Sequence, residues 1–339
     1  MKNYQDDINF IAGLCLPWEK LNQKTILISG ASGMIGSFLI HVLLQRPEKI
    51  NIIAVGRNIK TAQERFSEYW GKDNFHFISH DLNLPFKDNI KADIIVHAAS
   101  NTHPAAYSSD PIGTAATNII GTNNLLKVAS QNKKCRFLFA SSVEIYGENR
   151  GDTEYFDEHY CGYIDCNTMR AGYPESKRAG EALCQAYRKA KGIDVVIARL
   201  ARTYGPTMLT EDTKAISQFI KNALEKKDIV LKSEGNQLYS YCYVADSVSG
   251  LLTILLKGKN GEAYNISDSK SDLTLKELAS LIAFNVKTKV TYQMPDSIEF
   301  EGYSKATKAI MDSRKLQNLG WKAHWTIESG IRQTINYLS

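Results

Sequence analysis

The sequence contains no apolar run that approaches the roughly 18 residues of a membrane-spanning helix. It also lacks a run of lysine and arginine. The net charge of +5 is spread along 339 residues, which argues against a nucleic-acid partner and suits a small anionic substrate. Near the N-terminus, acidic residues precede a short apolar stretch that ends at Pro17, unlike a signal peptide. We therefore expect a cytoplasmic protein that neither spans a membrane nor binds nucleic acid.

Cysteines with the spacing of a zinc or redox site are also missing. None of the six forms a C-x-x-C motif, and no histidine stands near them at the spacing of zinc ligands. These six are Cys15, Cys135, Cys161, Cys166, Cys184 and Cys242. We expect free thiols, as in a reducing compartment, and no metal site.

From residue 25 onward, short apolar segments alternate with helical ones. Apolar strands that alternate with helices form parallel sheets covered on both faces. The pattern therefore predicts an α/β fold, a Rossmann-type doubly wound parallel sheet. Strands are predicted at 25–29, 51–55, 75–79, within 92–100, at 135–142 and at 194–200, and helices at 34–46, 61–70, 113–130 and 173–192.

The alternation loosens after about residue 200, where a smaller α/β lobe is predicted to close over the substrate. We predict three parts: an N-terminal extension (1–24), an NAD(P)-binding Rossmann domain (25–200 with about 239–268) and a C-terminal substrate-binding lobe (201–238 with 269–339).

A glycine-rich stretch lies between the first strand and the first helix of this pattern. Gly30, Gly33 and Gly36 stand three apart in "ILISGASGMIGSFL". Glycine permits a tight turn, close approach of a pyrophosphate and close packing of the helix on the strand, and the helix N-terminus offers N–H groups to phosphate. The spacing is not G-x-G-x-x-G, but its position predicts a dinucleotide site that also includes Ser32, Met34 and Ile35.

The second strand ends without the acidic residue that holds the ribose hydroxyls of NAD. Arg57 stands there instead, and a guanidinium suits a 2′-phosphate, so NADP(H) is favoured over NAD(H). Alternatively, Arg57 is an ordinary surface arginine. Asp81, after the third strand, could accept a hydrogen bond from the adenine amino group or could only form a turn.

Tyr173 and Lys177 are four residues apart, so a helix would place them on one face. Pro174 fits only the first turn of that helix, where its missing N–H has no partner to lose. The spacing alone fits either a catalytic pair or an exposed packing pair.

Four motifs, "GASGMIGSFL", "HAAS", "SSVEIYG" and "YPESK", occur in this order. They resemble an extended short-chain dehydrogenase/reductase of the nucleotide-sugar epimerase/dehydratase family, with closest likeness to UDP-glucuronate decarboxylases. The resemblance implies that Tyr173 moves the substrate proton, that Lys177 lowers the phenol's pKa and holds the nicotinamide ribose, and that Ser142 binds the reacting oxygen. It also implies a homodimer and further cofactor contacts from Leu82, Ala98, Ala99, Ser100 and Asn118.

The substrate side departs from the family pattern. Val143 stands where dehydratases of the group carry an acid, which argues against a 4,6-dehydratase. The resemblance implies that Glu144 is a catalytic residue that matches a glutamate of the decarboxylases; alternatively, it is a structural carboxylate. Arg202 stands where the family pattern has asparagine, and Tyr239 where it has an arginine for the diphosphate. Arg170 and Arg202 are therefore candidate substrate ligands, and Arg314 is a further candidate for the diphosphate.

Three functions remain open from the sequence. The first, slightly favoured, is an NADPH-dependent reductase of a nucleotide-linked keto-sugar or ketose. The second is a redox-neutral nucleotide-sugar epimerase, decarboxylase or 4,6-dehydratase. The third, least favoured because Ser142, Tyr173 and Lys177 are all present, is an inactive dinucleotide-binding regulator.

Overall fold

The computed structural model describes residues 4–87, 90–102, 109–209, 211–293 and 307–339. Its main sheet has seven parallel strands in the order β3-β2-β1-β4-β5-β6-β10. The strands are β1 Thr25–Ser29, β2 Asn51–Gly56, β3 Phe75–Ser79, β4 Ile94–His97, β5 Arg136–Ser142, β6 Asp194–Leu200, β7 Arg202–Tyr204, β8 Ile229–Leu231, β9 Leu238–Tyr243, β10 Ala263–Ile266, β11 Asp272–Thr274, β12 Val290–Tyr292 and β13 Lys308–Ala309. This sheet confirms the predicted fold class.

Helices cover both faces of the sheet because successive strand residues point to opposite sides. In β1, Ile26 and Ile28 pack into the core on one face and Leu27 into the core on the other, and all three are fully buried. The helices are α1 Tyr4–Ala12, α2 Met34–Leu44, α3 Ile59–Arg65, α4 Pro111–Ala116, α5 Thr122–Ala129, α6 Gly172–Lys191, α7 Ala215–Leu224, α8 Val244–Lys257, α9 Leu275–Val286, α10 Arg314–Gln317 and α11 Ile327–Leu338.

The strand order reverses between β1 and β4. In open α/β sheets, ligands bind outside the carboxyl ends of the strands at such a switch point. The glycine-rich turn follows β1, and Ala98 follows β4, so both lie at this point. The fold therefore indicates a ligand site at the carboxyl ends of β1 and β4.

The C-terminal half adds two small sheets. In one, β9 pairs with β7, β11 and β13, and in the other β8 pairs with β12. Strand β9, which the predicted boundary assigns to the dinucleotide-binding domain, thus belongs to the smaller sheet, whereas β10 joins the main one. The division into domains stays a prediction.

The first helix packs against the body of the protein. Ile8 and Ile11 of α1 are buried, and α1 contacts α2 and α8. The Asp7 carboxylate accepts hydrogen bonds from Tyr243 Oη (2.7 Å) and Gln333 Nε2 (3.2 Å). The sequence predicts only an N-terminal extension here, and the structure packs its helix into the core.

The helix predicted at 113–130 is interrupted by one wider turn. A π-turn at Thr117–Gly121 joins α4 to α5, and a Cβ on Gly121 would lie 3.1 Å from Leu82. Such π-turns occur mostly as single turns inside α-helices, frequently at functional sites. Among the described helices, none is long and apolar enough to cross a bilayer.

Candidate active site

The turn after β1 is shaped to bring a ligand against the backbone. Gly30 has φ +71°, and a Cβ there would lie 2.7 Å from backbone atoms of Ala98 and Ala99. A Cβ on Gly36 would collide with the Gly30 carbonyl oxygen. Side chains are therefore excluded from the turn both by conformation and by space.

The same turn fits a dinucleotide phosphate. Gly33 occupies the N-cap position of α2 and has no side chain to cap the first N–H groups, which carry the positive end of the helix dipole. Within the part of the chain that the structure describes, the Ser32 hydroxyl is buried without a hydrogen-bond partner. Buried hydroxyls are normally paired, so this one suits a ligand oxygen. Met34 and Ile35 form the first residues of α2.

A buried histidine stabilises the residue that precedes the glycine turn. His97, at the end of β4, lies 2.7 Å from Ser29 Oγ through Nδ1 and 3.0 Å from Thr122 Oγ1 through Nε2. Thr122 donates its proton to the Asn118 carbonyl, so Nε2 carries the histidine hydrogen and Nδ1 accepts from Ser29. Burial lowers the pKa of His97 to about 3, which keeps it neutral. The sequence does not reveal this role of His97, although the motif "HAAS" contains the residue.

The residues predicted to bind the cofactor beyond the glycine turn differ in exposure. Arg57 is exposed directly after β2. Asp81 is also exposed, and its Oδ1 accepts from the Asn83 N–H at 3.0 Å, which is the turn role that the sequence left open. Leu82 is buried, and its carbonyl accepts from Asn124 Nδ2 at 2.8 Å. Ser100 Oγ donates to the Asn101 carbonyl.

Ser142 and Tyr173 meet at the carboxyl end of β5. Ser142 ends that strand, Tyr173 lies in the first turn of α6, and a hydrogen bond joins their hydroxyls. Ser142 Oγ also accepts from the Glu144 N–H at 3.2 Å. The structure therefore brings together the serine and the tyrosine that the sequence placed in separate motifs.

Helix α6 is fixed against the π-turn and against β5. Asn118 Nδ2 donates to Ser176 Oγ (2.9 Å), and Ser176 Oγ donates to the Tyr173 carbonyl (2.9 Å). Lys177 Nζ donates to the Ala140 carbonyl at 2.8 Å and is only 3% exposed. These contacts hold the tyrosine and the lysine at the same strand end.

Burial dominates the pKa of both the phenol and the lysine. Burial raises the pKa of Tyr173 to about 12, the hydrogen bond from Ser142 opposes this and the Glu144 carboxylate adds to it. Burial also lowers the pKa of Lys177 to about 7, against the effect of Glu181. Lys177 Nζ donates to Ala140 and lies 6.0 Å from the centre of the Tyr173 ring, and its lowering of the phenol's pKa stays a prediction.

Glu144 is held by two arginines. Arg170 Nη2 lies 2.8 Å from Glu144 Oε2, and Arg202 Nη2 lies 3.2 Å from Oε1. Burial raises the pKa of Glu144, but Arg170 and Arg202 outweigh it, so the carboxyl titrates below its usual range. The Arg202 guanidinium also lies 3.5 Å from the centre of the Tyr239 ring.

The third arginine considered for the substrate lies elsewhere. The Arg314 side chain is 83% exposed and bonds to the Asp312 carboxylate, with Nη2 2.6 Å from Oδ2. Arg170 and Arg202, in contrast, both bond to Glu144, whose N–H donates to Ser142 at the end of β5. Two arginines and one glutamate leave this cluster with a net positive charge.

The sheet, its switch point and the side chains gathered there are those of a Rossmann-fold enzyme that uses a nicotinamide dinucleotide. Residues 26–267 match the model of the NAD dependent epimerase/dehydratase family, and the chain belongs to this family.

Curated relatives agree with this assignment, and a solved structure shares the fold. The chain is 33% identical over 320 residues to UDP-glucuronic acid decarboxylase 1 of Danio rerio, covering 94% of this chain and 73% of that protein. It is 31% identical over 306 residues to UDP-glucuronic acid decarboxylase 3 of Arabidopsis thaliana, covering 90% of this chain and 86% of that protein. The fold is similar, with a TM-score of 0.80 and 22% identity, to UDP-glucuronic acid 4-epimerase from Bacillus cereus in complex with UDP-glucuronic acid and NAD, covering 93% of this chain and 98% of that one.

Proposed function

We propose that the protein catalyses a redox-neutral, NAD-dependent conversion of a nucleotide-activated uronic acid, most closely the decarboxylation of UDP-glucuronate. The observation that carries the proposal is the Arg170–Glu144–Arg202 cluster beside Ser142 and Tyr173. A site with net positive charge next to the proton-transfer group suits a sugar that carries its own carboxylate. The two decarboxylase relatives support the same substrate class.

NAD, when bound along the glycine turn, supplies a hydride acceptor that can return the hydride within the same cycle. The protein's own residues supply the rest. As a phenolate, favoured by the positive charges of Lys177 and of the bound oxidised nicotinamide, Tyr173 Oη takes the proton of the hydroxyl that becomes a carbonyl and gives it back later, and Ser142 Oγ holds the same oxygen by a hydrogen bond. Asn118 and Lys177 hold the helix and the strand end in register through Ser176 and Ala140.

Glu144 and its neighbours favour this reaction over dehydration, and the relatives favour it over net reduction. Its pKa is lowered, so the carboxyl is ionised at neutral pH and cannot serve as the acid that expels water. Val143, the preceding residue, offers no second acid. The relatives support the redox-neutral alternative better than the reductase that the sequence slightly favoured.

The reaction is tested by mass spectrometry of the nucleotide sugar. Purified protein with NAD should convert UDP-glucuronate to a product lighter by carbon dioxide. UDP-glucose, which lacks the carboxylate, should pass through without such a loss and is the matched control substrate. A product lighter by water, or unchanged UDP-glucuronate under conditions where NAD binds, would contradict the proposed reaction.

The cofactor form is a finer proposal. The family is NAD-dependent, and Arg57 at the end of β2 supports acceptance of the 2′-phosphate of NADP as well. We expect Arg57→Asp to weaken NADP binding roughly tenfold or more, because a charged hydrogen bond is replaced by repulsion. NAD binding should change little. Calorimetric titration with NADP and with NAD measures the ratio of the two affinities in the wild type and in the variant. An unchanged NADP affinity would show that Arg57 is an ordinary surface arginine.

The homodimer and the cytoplasmic location remain predictions. The inactive-regulator alternative is the least supported, because Ser142, Tyr173 and Lys177 are retained and lie at one strand end.

A further inference from the structure

We propose that Tyr239 is a positioning residue: its ring holds the Arg202 guanidinium in place beside Glu144, and the site depends on that ring rather than on the tyrosine hydroxyl. The inference rests on the proposed function for its role in turnover. The contact between the ring and the guanidinium stands independently of it.

The Arg202 guanidinium lies over the face of the Tyr239 ring. Arg202 opens β7 and Tyr239 lies in β9, and these strands pair with Arg202 opposite Tyr241. The guanidinium nevertheless lies over Tyr239, two residues away, with its carbon 3.5 Å from the ring centre. A cation over a ring face is attracted by the ring quadrupole, and the attraction grows where water is excluded. Tyr239 is 5% exposed, so water is largely excluded here.

The ring completes a sequence of contacts that leads to the reacting groups. The Tyr239 ring contacts the Arg202 guanidinium, which bonds to Glu144 Oε1. The Glu144 N–H in turn donates to the Ser142 hydroxyl. Arg170 fixes the other carboxylate oxygen of Glu144. An arginine side chain has many rotamers, and holding it in one costs conformational entropy. A buried ring that restricts Arg202 reduces that cost at the moment of substrate binding.

The hydroxyl of Tyr239 does not supply the charge in this arrangement. Burial raises the pKa of Tyr239, while Arg202 opposes this, so the phenol is neutral at neutral pH. Here the guanidinium comes from the neighbouring strand and position 239 provides its support.

Turnover of UDP-glucuronate should separate the ring from the hydroxyl. Tyr239→Leu removes the ring, and we expect kcat/KM to fall roughly 100-fold. The reason is that displacing a substrate-positioning group by about 1 Å can reduce the rate by that factor. Tyr239→Phe keeps the ring and should recover most of this loss. In an Arg202→Leu background, Tyr239→Leu should cause no further loss. Equal damage from Phe and Leu, or the same loss from Tyr239→Leu in both backgrounds, would overturn the proposal.

The pH profile is a readout that a purely structural role would not move. The charged and titratable groups that face Glu144 are Arg170, Arg202, Tyr173 and Tyr239. Arg202 lowers the pKa of Glu144, so a displaced Arg202 lets that pKa rise. Protonation of Glu144 removes the charge that pairs with both guanidiniums, so the acidic limb of kcat/KM should follow its pKa. That limb should move to higher pH in Tyr239→Leu and stay in place in Tyr239→Phe. An unmoved limb in Tyr239→Leu would contradict the proposal.

A second cycle needs no substrate. Urea unfolding of the wild type, Tyr239→Leu, Arg202→Leu and the double variant measures whether ring and guanidinium are coupled. We expect the urea concentration at the midpoint of unfolding to fall less in the double variant than the sum of its decreases in the two single variants. Strictly additive losses would overturn the contact itself. If UDP-glucuronate is not converted while the urea cycle shows coupling, the proposed function fails and the positioning of Arg202 stands.

Discussion

Tyr173→Phe should lower kcat at least about a thousandfold, because it removes the only atom at this position that can carry the substrate proton. The ring stays in its buried place in the first turn of α6, so packing is preserved. In the proposed site NAD lies along the glycine turn and does not depend on this hydroxyl, so it should bind to the variant within about twofold of the wild-type affinity. Steady-state turnover of UDP-glucuronate and calorimetric titration of NAD measure the two quantities separately.

Tyr187→Phe is the matched control for this experiment. Tyr187 lies on the same helix, about four turns further along, and its hydroxyl donates to Asn123 Oδ1 at 2.8 Å. Removing that hydroxyl costs about 1 kcal/mol of stability and should leave kcat unchanged. A Tyr173→Phe variant that turns over at the rate of Tyr187→Phe would refute the proton-transfer role.

Gly30→Ala should both destabilise the protein and abolish dinucleotide binding. The residue has φ +71°, which costs an alanine about 1–2 kcal/mol. Its Cβ would also lie 2.7 Å from the backbone of Ala98 and Ala99, and backbone cannot swing aside as a flexible side chain can. Overpacking of this kind costs about 1–3 kcal/mol more. The total is about 2–5 kcal/mol, and the displaced turn no longer fits a pyrophosphate.

Gly71→Ala separates the two causes. Gly71 also has positive φ (+85°), but a Cβ there has no heavy atom within 4 Å among the described residues. It should therefore show only the conformational cost and retain NAD affinity. Urea unfolding and NAD titration of both variants test this. Equal losses of stability in the two variants would show that space at the Ala98–Ala99 backbone does not matter.

The sheet and the helix entrance follow from local chemistry that a sequence displays. Apolar segments such as 25–29 and 194–200 alternate with helices, and this alone indicates a parallel doubly wound sheet. Pro174 and the spacing of Tyr173 and Lys177 are likewise local. Expectations of this kind depend on neighbours in the chain, which is why the structure reproduces them.

The pKa values and ion pairs of the site could not be predicted from the sequence. The pKa of Tyr173 depends on how deeply the phenol is buried, and the sequence alone gave only the sign of the Lys177 charge. The pairing of Glu144 with both Arg170 and Arg202 joins segments that are far apart in the chain. The place of Arg202 on the Tyr239 ring depends on the pairing of β7 with β9, which local patterns do not show.

The number of product molecules formed per molecule of NAD tests the central claim most directly. With UDP-glucuronate in large excess over NAD, a redox-neutral enzyme returns the hydride each time. Product should therefore exceed the cofactor many times over, with no accumulation of NADH. Product that stops at the amount of cofactor supplied, or that forms only from a keto-sugar with equal consumption of NADPH, would contradict the account.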